Sequence, residues 1–89
     1  MIIINVLQYE EHTEELEDVV ASYAIAGDLE LDKALKAIRK EQEGISTSEG
    51  YTLRWEDAPG VTYGYQRWDT DHEILVVALT WGEAATLPV

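Results

Sequence analysis

Residues 2 to 9, Ile-Ile-Ile-Asn-Val-Leu-Gln-Tyr, are apolar and largely β-branched, the pattern of a strand buried on both faces inside a sheet. The period then changes. Leu16, Val19, Val20 and Tyr23 recur at i, i+3, i+4 and i+7, which predicts a helix over roughly 14–26. Thr13 is placed as its N-cap, Glu14, Glu15 and Glu17 stand where the helix dipole favours anions, and Gly27 is placed to end it. Leu31, Ala34, Leu35 and Ile38 repeat the stripe, predicting a second helix capped by Asp28 and running to Gly44. Asp32 with Lys36, and Arg39 with Glu43, form i, i+4 pairs within it.

Residues 45–50, Ile-Ser-Thr-Ser-Glu-Gly, have the composition of a loop. Beyond them, β-rich runs at about 51–56, 61–68 and 73–81 alternate with Asp57-Ala58-Pro59-Gly60 and Asp69-Thr70-Asp71, the pattern of an antiparallel meander. Arg54-Trp55-Glu56 returns as Arg67-Trp68-Asp69, and Trp81 follows thirteen residues later, the period of one strand plus one turn. The expected fold is α+β in the order β-α-α-β-β-β: about four mostly antiparallel strands with two helices on one face. Residues 82–89 are expected to be a loose tail.

Eighty-nine residues make a single domain, and 46% hydrophobic residues suffice for a core without metal or disulfide support. The absence of cysteine excludes disulfides, thiolate metal sites and a cysteine nucleophile. The N-terminus has no basic stretch before its apolar run, and no run approaches the roughly 20 residues of a membrane span; a cytoplasmic location is the expectation.

Charge changes the picture most. Eighteen acids against six bases give a net charge of −12, and four of the bases, Lys33, Lys36, Arg39 and Lys40, fall in the second predicted helix. Such a surface repels nucleic acids and anionic membranes and attracts basic proteins. Glu10, Glu11, Glu14, Glu15, Glu17 and Asp18 put six carboxylates into nine residues with no base among them. On the predicted first helix, Glu11, Glu14, Glu15 and Asp18 share the face opposite Leu16 and Tyr23, spaced like the charges of a nucleic-acid strand. Asp69 and Asp71 belong to a second acidic group at the meander turns, with Glu56, Asp57 and Glu73. Strand parity sets Trp68 apart from the apolar rows and makes it the tryptophan expected at the surface, where an aromatic beside carboxylates suits a protein interface.

Catalytic signatures are missing. His12 and His72 stand in neither a metal-ligand spacing nor a nucleophile motif, no glycine-rich phosphate loop occurs, and Asp69-Thr70-Asp71-His72-Glu73 lacks the glycine and distal glutamate of an EF-hand loop. No enzyme, metal or cofactor is expected. In size and charge alone the chain resembles the small acidic inhibitors that phages direct against restriction enzymes, CRISPR complexes and uracil-DNA glycosylase, and the acidic immunity proteins of basic nuclease toxins. The resemblance implies a partner with a basic surface, in most of these cases one that handles nucleic acid. The alternative is a structural or assembly module, such as a homodimer formed through aromatic or sheet-edge surface, whose acidity serves solubility.

Overall fold

The computed structural model describes residues 1–10 and 13–83. Five strands and one helix follow in the order β1 (Ile2–Tyr9), β2 (Leu16–Ile25), α1 (Asp28–Ser48), β3 (Thr52–Ala58), β4 (Val61–Asp69) and β5 (His72–Glu83). The strands form one antiparallel sheet ordered β2-β1-β5-β4-β3. The order is therefore β-β-α-β-β-β, which corrects the expectation of four strands and two helices.

The difference lies in residues 16–25. Val19, Val20 and Ile25 are β-branched and Tyr23 aromatic, side chains that lose χ1 freedom in a helix and fit a pleated surface. Their helix-like spacing has another origin. β2 is bulged twice against β1: Val6 faces Ala21 while Leu7 faces Val19, and Gln8 faces Asp18 while Tyr9 faces Leu16. Val20 and Glu17 are the extra residues, and each insertion breaks the strict alternation of a strand. Gly27 precedes a helix rather than ending one, as the N-cap of α1.

α1 also outruns its expected end. It passes through Gly44 to Ser48, absorbing most of the stretch expected to be a loop. Gly50 at φ +90° closes it, with the Gly50 and Tyr51 N–H groups donating to the Thr47 and Ser46 carbonyls; such a left-handed residue after a helix favours glycine. Neither i, i+4 ion pair appears in the helix. Arg39 instead donates to Asp57 Oδ1 at 2.6 Å and lies over the Trp55 ring, whose Nε1 donates to Glu43 Oε1 at 2.8 Å. All three contacts tie α1 to β3.

The meander of β3, β4 and β5 stands where the periodicity puts it, its hairpins closed by Pro59-Gly60 and Thr70-Asp71. β5 runs on through Gly82 and Glu83, so these two belong to the sheet and not to a tail; residues 84–89 lie outside the described residues. Leu35 and Ile38 of α1 pack on Ile4, Val6, Val77 and Leu79, with Leu31, Ala34, Leu53, Trp55 and Trp81 around them. β1 is interior, but it alternates between buried and half-buried residues, so one of its faces carries the core and the other is partly covered. That second sheet face is mixed, with Asn5, Leu7, Tyr63, Tyr65 and Thr80 placed there by the register.

Candidate protein-interaction surface

β2 is an edge strand, paired with β1 on one side only. Leu16, Val19, Val20 and Tyr23 are 40–55% exposed, and they stand in a strand without Lys, Arg or Pro. Natural edges are commonly blunted by such residues, by other charges and by bulges; Glu17, Asp18 and the two bulges do so in the first half of β2, and residues 21–25 remain as its regular edge. Val19 faces Leu7, on the open face of the sheet, whereas Tyr23 faces Ile4, on the core face. Apolar side chains are therefore bare on both sides of the strand.

The carboxylates of residues 10–18 are distributed differently from the helix-face expectation. Glu17 and Asp18 lie in β2, while Glu10, Glu14 and Glu15 belong to the β1–β2 connection. Glu11 and His12 lie outside the described residues. Glu14 and Glu15 lie in the connection and Asp18 pairs with Gln8 as a strand residue, so these three share no helical face. The connection is organised by Glu10: its carboxylate accepts from the Thr13 N–H at 2.7 Å and hydroxyl at 3.0 Å, its carbonyl accepts from the Glu14 N–H, and its own N–H donates to the Glu15 carbonyl at 2.8 Å. Thr13, expected to cap a helix, helps close this turn. Glu14 adopts φ +55° there, a conformation that a non-glycine residue reaches at a cost.

Topology unites what the sequence left apart. Gln8 of β1 faces Val77 of β5, and β5 begins at His72. The β4–β5 turn with Asp69 and Asp71 therefore lies at the same end of the sheet as the Glu10–Glu15 connection. The C-terminus of α1 ends there as well, since Gln66 of β4 reaches Ser46 and Glu49. Glu56 and Asp57 belong to the opposite end, beside Pro59-Gly60. The described cations nearest the acidic end already have anionic or carbonyl partners: Arg54 grips Glu73 through Nε and Nη2 at 2.9 and 2.7 Å, and Arg67 Nε donates to the Asp69 carbonyl.

The turn is rigidly tied. Asp69 Oδ1 accepts from the Asp71 N–H at 2.8 Å, and both Asp69 oxygens lie 2.7 Å from His72 Nδ1. The backbone bond from Asp71, then the bond from His72, hold the Asp69 carboxyl below its ordinary range. Arg54 does the same for Glu73. Tyr65 is pushed up, by burial first and then by the Glu56 carboxylate, against the opposing pull of Arg54. Trp68 is 48% exposed, stacked on His72 at 5.6 Å between ring centres and edge-on to Tyr51 at 6.2 Å. Trp55 and Trp81 pack against the core, leaving Trp68 as the exposed tryptophan among the three.

Between α1 and the sheet at this same end lies a cleft of about 510 Å³. Val20, Ile45, Leu53, Val76 and Val77 supply its apolar lining, and Glu10, Glu17 and Glu49 bring carboxylates to it. Sequence reasoning missed this cleft because it stopped the helix at Gly44. Read past that glycine, Ile45 stands seven residues after Ile38 on the same helix face, and it is the apolar residue that α1 contributes to the cleft.

Among the described residues, no group of three or more His, Asp or Glu side chains is placed to hold a metal ion, and no helix is long and apolar enough to cross a membrane. Neither a protein-family model, nor a curated protein, nor a solved structure matches the chain.

Proposed function

We propose that this protein is an acidic inhibitor that docks onto a basic surface of another protein, one that handles nucleic acid, and blocks that surface by occupying it. The observation that supports this reading is the gathering of Glu10, Glu15, Glu17, Asp18, Asp69 and Asp71 at one end of the sheet, next to the exposed apolar side chains of β2. Stability alone does not call for it, since neighbouring like charges repel. Interfaces are built in this way, with apolar and aromatic anchors at the centre and charge to steer encounter. The lysines lie elsewhere: Lys33, Lys36 and Lys40 stand on α1, which starts from the opposite end of the sheet, while Arg54 and Arg67, nearer the acidic end, are engaged by Glu73 and by the Asp69 carbonyl.

The test is affinity capture from a cell extract with the immobilised protein, followed by elution with a salt gradient and mass spectrometry. Basic proteins that bind DNA or RNA are expected to leave the column as salt rises, and to lose nucleic-acid binding when the purified protein is added. Recovery of acidic proteins alone, or partners whose nucleic-acid binding is unaffected, contradicts the reading.

A further inference from the structure

We infer that β2 is a docking strand, which takes an extended Lys- or Arg-bearing segment of the partner as a sixth strand of the sheet. This rests on the reading of the protein as an acidic binding module and specifies how the partner is held.

Geometry gives the first argument. β2 has ten residues, of which 21–25 run on without a bulge, a regular template of about 17 Å at the usual rise per residue, and among the described residues no strand lies beside its outer backbone groups. A flat partner surface or a docked helix covers one face of an edge strand. An added strand places side chains next to both, and β2 is bare on both, through Val19 on one side and Val20 and Tyr23 on the other. The opposite edge, β3, is shorter and carries Arg54, Glu56 and Asp57, all engaged in ion pairs.

Charge identifies the occupant. Glu17 and Asp18 lie within β2 and Glu15 just before it, and the adjoining cleft joins Val20 to Ile45, Leu53, Val76 and Val77 under the carboxylates of Glu10, Glu17 and Glu49. Side chains of an added strand that point toward α1 arrive at this cleft. A Lys or Arg suits it, because the methylene stem covers apolar surface while the charged head stays among carboxylates. Backbone pairing supplies affinity in such an arrangement, and alternate side chains supply selectivity. A second copy of this chain fits less well: its own β2 brings Glu17 and Asp18, with Glu15 just before them, and no base.

The probe is a capped eight-residue peptide of alternating Lys and Val, titrated into the isotope-labelled protein and followed by amide shifts and hydrogen exchange. A second peptide of the same sequence carries N-methyl groups on its four central amides, which keep the charge and remove the donors; eight lysines in a row serve as the charge-only probe. The expected result is new protection of those amides in residues 21–25 that do not pair with β1, at least tenfold weaker binding of the N-methylated peptide, and loss of binding in the edge-charged variant Val19→Lys/Tyr23→Lys. Equal binding of the N-methylated peptide, or changes confined to the 69–73 turn, overturns the docking strand while leaving an acidic binding module standing. Failure of all three peptides to bind at low salt overturns both. A peptide-free dimer by sedimentation, with the β2 amides already protected, overturns the inference by assigning the edge to a second copy.

Discussion

Gly64 of β4 lies against Trp55 of β3, so closely that a Cβ at position 64 would come within 2.9 Å of the indole and 2.5 Å of Val77 Cγ1. The two residues face each other in the β3–β4 register, and the missing side chain is what lets the ring lie over the sheet. Gly64→Ala should therefore destabilise the protein by about 1–3 kcal/mol, as overpacking does. Gly44→Ala is the control: the same change meets open space inside α1 and should stabilise by about 0.5–1 kcal/mol. Urea unfolding of both variants checks the contrast in sign.

Glu14 holds φ +55° in a turn already dense with carboxylates. Glycine adopts that conformation without the steric cost, at some expense in unfolded-state entropy. Glu14→Gly should be neutral to stabilising, by up to about 1 kcal/mol, as read from the urea midpoint. A clear loss of stability would mean that the Glu14 side chain holds the turn together.

Acid sensitivity follows from two carboxylates. Asp57 is held below its ordinary value of 3.8 by the Thr62 hydroxyl, which donates at 2.7 Å, and by Arg39. Glu73 is held below 4.5 by Arg54. A folded-state pKa below the unfolded one means stability that is present at higher pH and lost as pH falls through the folded value. Asp57→Asn and Glu73→Gln should each be less stable than wild type at pH 7, and the gap should close as pH falls through the lowered folded-state values of the two carboxyls. Denaturant unfolding across pH measures it; a gap independent of pH would refute the linkage.

Trp68 should dominate the quenchable fluorescence, since Trp55 and Trp81 sit against the core. Acrylamide should quench wild type markedly more than Trp68→Phe. Equal quenching would place another indole at the surface.

Much of the fold was legible where one side-chain period was unbroken. The apolar run Ile2–Tyr9 and the three meander strands declared themselves, and Trp68 was separated from its fellows by strand parity alone. Residues 14–26 misled because two bulges inserted Val20 and Glu17, turning a strand's alternation into the spacing of a helix face. The local sign of a strand was the β-branched and aromatic character of Val19, Val20, Tyr23 and Ile25 rather than their spacing, and pairing with β1 decides. Gly44 misled in the other direction, since a glycine that costs a helix under about 1 kcal/mol need not end one when Ile38 and Ser46 on either side are buried. The acidic residues could be found one by one, but their convergence at one end of the sheet depends on strand order.

Reversing charge on the edge strand bears most directly on the claim that this acidic end is a binding surface. Glu15, Glu17 and Asp18 are all exposed, so Glu15→Lys/Glu17→Lys/Asp18→Lys should leave the circular dichroism spectrum unchanged. Calorimetry with a captured partner at low and high salt then compares wild type with the variant. Wild-type affinity should weaken as salt screens exposed charges over a Debye length of about 8–10 Å, and the variant should bind at least tenfold more weakly at low salt. A folded variant that binds as tightly as wild type, with no salt dependence in either, would contradict the account.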